Sequence, residues 1–283
     1  MRAPHDEIVN ANGVDLCVDS FGDPDDPGIL LIMGSSGSMD WWEDEFCERL
    51  AAGGRFVVRY DHRDTGRSVS YEPGVPGYAG EELIDDVVGV LDAVGISSAH
   101  LIGMSMGGAI AQVVALDQPD RVASLTLVSS SPAGPGGDLP DMSEDTIAAF
   151  SREPPDWSDR SAVLEYMAHL ARVSASPTTP FDEAGFRELA GRVFDRTTNI
   201  ESTFTNHNLL DGGEPWRDRL GDLDLPTLII HGTDDPILPH EHGVALANEI
   251  PRAELLTLEQ TGHELPRRTW GVVVPAILEV TSR

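Results

Sequence analysis

The sequence has no lysine: all 19 of its basic residues are arginine. Schiff-base chemistry and any lysine-assisted serine mechanism are therefore excluded. Cysteine is nearly absent as well. Cys17 and Cys47 form no CxxC pair, so neither a disulfide framework nor a structural metal site is expected. No apolar run approaches the ~18 residues of a membrane span. The opening stretch MRAPHDEIVNANG lacks the apolar core of a secretory signal, so a cytoplasmic protein is expected. Positive charge is scarce overall, 48 acidic residues against 19 basic ones giving a formal charge of −29. Such a surface repels phosphate backbones and anionic leaflets, which argues against nucleic acid and membrane as partners. It serves solubility or adaptation to salt, and favours small neutral or cationic ligands. Nothing in it specifies an assembly beyond a monomer or homodimer.

What is present reads as one large α/β unit with an insertion. Short apolar runs at residues 28–33, 55–60, 100–104, 124–129, 226–231 and 253–258 are bounded by turn-forming residues, as buried strands are. Residues 14–20 alternate well enough for a half-exposed strand. Helical stripes cover 81–94, 106–117, 240–249 and 269–280. Strands alternating with helices predict a parallel sheet covered on both faces, with its chemistry at the carboxyl ends of the strands. The loops after Met33, Met104 and Ile230 should then share one working edge. The alternation stops at a Gly- and Pro-rich linker after residue 131. Helical segments follow near 143–150, 159–174, 182–195 and 199–210, so residues 132–222 read as a helical cap on a core made of 1–131 and 223–283.

GMSMG, Gly103 to Gly107, lies between a predicted strand and a predicted apolar helix. A nucleophile elbow needs small flanking residues, because the chain turns sharply to lift the serine Oγ off the sheet. Ser105 is the candidate nucleophile; the bland alternative is a helix N-cap serine. Its hydroxyl requires a base. In such elbows the partners follow in the order serine, acid, histidine, which removes His5, His62 and His100. His169 and His207 fall in the insertion, as pocket-lining or surface residues. His231 ends a buried strand and reads as structural. His240 and His242 lack a third metal ligand. His263, in the post-strand loop QTGHELP, is the candidate base. The acid comes from GTDDPILP, where Asp235 before Pro236 is preferred and Asp234 reads as a turn or capping residue. The expected oxyanion donors are the backbone N–H groups of Met106 and of Ser35, in the loop MGSSGS.

These motifs carry a resemblance. FGDPDDPGILLIMG, WWEDEF, RYDHRDTGRS, GMSMGGAIAQVVALDQPDRVASLTL, LPTLIIHGTDDPILP and the GH of GHELP together resemble the α/β-hydrolase serine esterases of the aclacinomycin methylesterase group. The resemblance implies an α/β-hydrolase fold: a mostly parallel eight-stranded sheet flanked by helices, with an inserted helical cap. It implies a Ser105–Asp235–His263 triad, Ser35 and Met106 at the oxyanion positions, and no cofactor or metal. Ser35 stands where that group has glycine, which keeps the backbone donor and narrows the acyl pocket. The cap matches much less well, so ester hydrolysis is implied more firmly than any particular substrate. Gly34, Trp41, Trp42, Met104 and His207 are the candidate pocket residues. Asp61, Arg63 and Gly66 read as a structural loop tied by an arginine–carboxylate bond.

The expected activity is hydrolysis of a hydrophobic small-molecule ester through an acyl-enzyme, possible targets including a polyketide methyl ester. Other triad chemistry on the same fold (perhydrolase or haloperoxidase, C–C hydrolase, lyase) and a ligand-binding protein without useful turnover are the alternatives.

Overall fold

The computed structural model describes residues 6–132, 138–211 and 213–283. Part of the linker expected after residue 131, residues 133–137, lies outside them. Eight strands form one sheet in the order β1-β2-β4-β3-β5-β6-β7-β8. They are β1 (Glu7–Ala11), β2 (Val14–Phe21), β3 (Gly28–Ile32), β4 (Phe56–Tyr60), β5 (Ala99–Met104), β6 (Val122–Val128), β7 (Thr227–Gly232) and β8 (Ala253–Leu258). β2 runs antiparallel to both its neighbours, and the pairs from β4 through β8 are parallel.

Both faces of the sheet are covered, so the central strands are apolar throughout and successive side chains enter two different cores. Leu30 and Ile32 of β3 pack in one core cluster with α2 (Gly80–Ala93), α3 (Met106–Asp117) and α8 (Glu241–Glu249). Ile29 and Leu31 pack in another with α1 (Asp44–Ala51) and α9 (Trp270–Val280). Each such side chain, fully withdrawn from water, contributes about 1.5–3 kcal/mol relative to exposure.

Between β6 and β7 the described residues hold four α-helices and no strand: α4 (Glu144–Phe150), α5 (Arg160–Ser174), α6 (Glu183–Arg196) and α7 (Ile200–Thr205). Each starts at a side-chain cap, from Ser143, Asp159, Asp182 and Asn199 respectively. Val163, Met167, Ala190, Val193 and Ile200 form their own cluster. The last helix is shorter than the predicted 199–210; it gives way to a 3-10 turn at His207–Leu209.

One strand and one α-helix of the described residues have no counterpart in the sequence reading. β1 is largely exposed, so it lacks a hydrophobic signature. Its signal is Asn12-Gly13, a two-residue hairpin turn with φ of 49° and 76°. The short helix α1 carries its signal in Phe46, Cys47 and Leu50, one buried stripe behind an acidic first turn.

Candidate active site

The parallel register aligns the strand ends: Ile32 lies beside Gly103, Met104 beside Val128, and Val128 beside Ile230. The chain leaves β3 for β4 on one side and returns to β5 on the other. The carboxyl ends of β3 and β5 thus flank the point where the strand order reverses, where such sheets bind ligands.

Ser105 sits between β5 and α3 with φ 53° and ψ −120°. That left-handed conformation costs a non-glycine residue about 1–3 kcal/mol and marks functional turns. The flanking glycines are compelled by contact. A methyl group on Gly103 would come within 2.2 Å of the Gly107 carbonyl oxygen, and one on Gly107 within 2.2 Å of the Ile32 carbonyl oxygen. Ser105 N–H donates to the Val128 carbonyl at 2.9 Å. Its own carbonyl accepts from Gly108 N–H at 2.9 Å and from Ser130 Oγ at 2.9 Å. Met106 begins α3, so its N–H has no acceptor within the helix.

The loop after β3 lies against the elbow. A methyl group on Gly34 would meet the Ser105 Cβ at 3.2 Å. Gly37 N–H donates to the Gly34 carbonyl at 3.1 Å, closing a turn whose third residue, Ser36, has φ 59°. Ser35 is exposed.

His263 and Asp235 meet across two loops: His263 Nδ1 stands 2.8 Å from Asp235 Oδ2. Asp235 Oδ1 accepts from Ile237 N–H at 3.0 Å and Leu238 N–H at 2.9 Å. Burial by itself would raise the Asp235 pKa. The charge of His263 and the hydrogen bonds from His231 and His263 outweigh it and hold the carboxyl below its usual range. His231 is fully buried; its Nε2 donates to the Leu238 carbonyl at 2.7 Å and lies 3.5 Å from Asp235 Oδ2. The neighbouring carboxylate is engaged elsewhere. Asp234 accepts from Ser176 Oγ at 2.6 Å and Thr178 Oγ1 at 2.8 Å, both just beyond α5. His263 N–H donates to the Ser174 carbonyl at 2.8 Å, so the end of α5 holds the histidine loop too. No hydrogen bond joins Ser105 Oγ to His263 in this structure; such catalytic contacts commonly tighten only with substrate bound.

The pocket candidates separate. Gly34 faces the elbow and Trp41 stacks on Phe186 of α6 at 5.4 Å. Trp42 is a core residue, 2% exposed and stacked on Phe46, and Met104 packs in the same cluster. His207 is 5% exposed and hydrogen-bonded on both ring nitrogens, to Ser36 N–H and the Arg63 carbonyl. The Asp61 loop is tied differently from the sequence reading. Asp61 pairs with Arg196 of α6, while Arg63 makes a bidentate pair with Asp86 of α2, both at 2.7 Å. His240 and His242 bond to Thr257 and Ser131. Among the described residues no group of three His, Cys, Asp or Glu side chains could hold a metal ion. Among them, too, no helix is long and apolar enough to cross a membrane.

Residues 27–266 match the family described as alpha/beta hydrolase fold. The chain is 34% identical over 281 residues to rhodomycin D methylesterase DauP of Streptomyces sp. (strain C5), covering 92% of each. It is also 34% identical over 280 residues to rhodomycin D methylesterase DnrP of Streptomyces peucetius, again covering 92% of each. Among solved structures, the esterase EaEST from Exiguobacterium antarcticum shares the fold, with a TM-score of 0.78 at 20% identity over 98% of this chain and 99% of that one. The strand order, the elbow and these matches agree, and the chain belongs to the α/β-hydrolase family.

Proposed function

We propose that this protein is a serine carboxylic ester hydrolase working through an acyl-enzyme. The observation that carries the reading is the strained Ser105 elbow on the same sheet edge as the His263–Asp235 pair. Ser105 Oγ attacks the ester carbonyl while His263 Nε2 takes the hydroxyl proton. Asp235 orients the ring through Nδ1 and stabilises its cationic form without taking the proton. The tetrahedral oxyanion is bound by the N–H groups of Met106 and Ser35, each such donor lowering the barrier by about 3 kcal/mol. Collapse expels the alcohol, which receives the proton from His263. Water then attacks the acyl-enzyme with His263 again as base, releasing the acid and restoring Ser105.

Residues 132–222 act as the cap over this edge, held to it through Ser174, Ser176 and Arg196. The two methylesterase relatives match over 92% of the chain, which supports a methyl ester of a hydrophobic, polyketide-like acid as substrate. The test is hydrolysis of p-nitrophenyl esters of graded acyl length and of aromatic polyketide methyl esters, wild type against Ser105→Ala. Turnover that survives in Ser105→Ala refutes the mechanism. Turnover of p-nitrophenyl esters alone would retain the esterase and refute the polyketide substrate.

A further inference from the structure

We propose that His207, contributed by the inserted helical segment, is a positioning residue for the oxyanion loop; the proposal rests on the ester-hydrolase reading above. Ser36 holds φ 59° in the turn that follows Gly34, a conformation glycine adopts freely and serine does not. Its N–H donates to His207 Nδ1 at 2.9 Å. The other ring nitrogen, Nε2, lies 2.8 Å from the Arg63 carbonyl oxygen. A carbonyl can only accept, so the proton sits on Nε2 and Nδ1 is left as the acceptor that Ser36 requires.

Both ends of this bridge are anchored. Arg63 is locked by its bidentate pair with Asp86. Asn206, next to His207, donates to Asp64 Oδ2 at 2.9 Å and accepts from Gly74 N–H at 2.8 Å. The start of the same loop is held by His62, whose Nε2 donates to the Met33 carbonyl at 2.9 Å. Ser35, whose N–H is the proposed oxyanion donor, lies between these two clamps. His207 is buried and both its ring nitrogens are engaged by the Ser36 and Arg63 contacts. It acts by keeping the 34–36 peptides aimed at the elbow, and relaxation of Ser36 would turn them away.

The test separates the two ring nitrogens. His207→Asn keeps an acceptor where Nδ1 stands; His207→Gln keeps a donor where Nε2 stands and loses that acceptor. His207→Gln should lower kcat on p-nitrophenyl butyrate by roughly 10- to 100-fold, the scale of a misaligned catalytic group, with KM within about threefold. Affinity for benzeneboronic acid, a tetrahedral mimic, should fall by a similar factor. His207→Asn should stay within about threefold of wild type in all three quantities. A change confined to KM, wild-type kcat in His207→Gln, or equal impairment of both variants overturns the proposal. In the wild-type protein, imidazole nitrogen NMR should show His207 protonated at Nε2 only, and protonation at Nδ1 overturns it whether or not the variants fold. A fluorophosphonate should label Ser105 in wild type. Failure to label, together with no turnover, sinks the ester-hydrolase reading itself and the positioning role with it. Labelled wild type with unaffected variants sinks the positioning role alone.

Discussion

Arg196, the last residue of α6, places Nη2 2.7 Å from Oδ2 of Asp61, which is fully buried just beyond β4. The same guanidinium reaches Asp40 at 3.0 Å, and Asp61 also accepts the N–H groups of Met39 and Arg67, each at 2.9 Å. One carboxylate therefore ties the inserted helices, the segment after the 33–37 loop and the 61–71 loop together. Burial raises the Asp61 pKa, and Arg196 opposes that rise. Arg196→Met leaves a buried carboxylate unpaired, which should cost about 3–5 kcal/mol. The Asp61→Asn/Arg196→Met double variant should lose clearly less than the sum of the single variants. Urea unfolding of all four proteins checks this, and additivity would contradict the pairing.

Ser105 should be costly to the fold as well as central to activity. Ser105→Ala should remove about a million-fold in kcat while leaving the backbone strain in place. Ser105→Gly should be equally inactive but about 1 kcal/mol more stable than Ser105→Ala, because glycine tolerates the left-handed elbow. Thermal unfolding of the two inactive variants decides it; an alanine variant as stable as the glycine one would mean that the elbow is unstrained.

The adjacent acids should differ sharply. Asp235 holds His263, whereas Asp234 holds Ser176 and Thr178. Asp235→Asn should lower kcat by about ten-thousand-fold, the loss expected when the imidazole is held in the wrong tautomer. Asp234→Ala should keep kcat within about tenfold and loosen the segment after α5, since it removes only structural hydrogen bonds. Steady-state kinetics with hydrogen exchange at residues 174–178 tests both halves. The reverse ranking of kcat would reassign the triad acid.

Acid should destabilise the protein well above the carboxylate range. Burial, aided by the nearby His207, pushes the His62 pKa from 6.5 down to about 3. Burial lowers His207 too, and burial with Arg55 takes His100 down to about 4. Unfolded, these imidazoles take up protons that the folded state refuses, so stability falls as pH drops below about 6.5. Asp235 works in a lower window. Its folded pKa is depressed, so its contribution is intact above the normal carboxylate pKa and lost only further down. The melting temperature should thus rise from about pH 4.5 to about pH 6.5 and then level off. His62→Gln, which retains a donor toward Met33, should flatten part of that rise. An unchanged slope in the variant would show that His62 is not among its causes.

The candidates for nucleophile, base and acid were legible because each sits in a short motif just after an apolar strand. The elbow glycines, the chain order and the turn before Pro236 are local signals. Trp41 and Trp42 show the limit of such signals. The two are neighbours in one motif, yet Trp42 joins the core and Trp41 turns to Phe186, a choice made by the helices packed on each side. His207 read as a pocket residue because its position in the insertion was visible and its partners were not. Ser36 and Arg63 lie more than a hundred residues before it.

The amino-acid order by itself determined the alternation of strands and helices, the inserted helical segment and the candidate residues for acyl-transfer chemistry, because periodicity and turn chemistry act over a few residues. Tertiary structure decided which acid meets His263, that Arg196 rather than Arg63 neutralises Asp61, and that His207 bridges Ser36 to Arg63. Those outcomes depend on which elements the packed sheet brings together, and a buried charge or N–H takes whichever partner the fold places within about 3 Å.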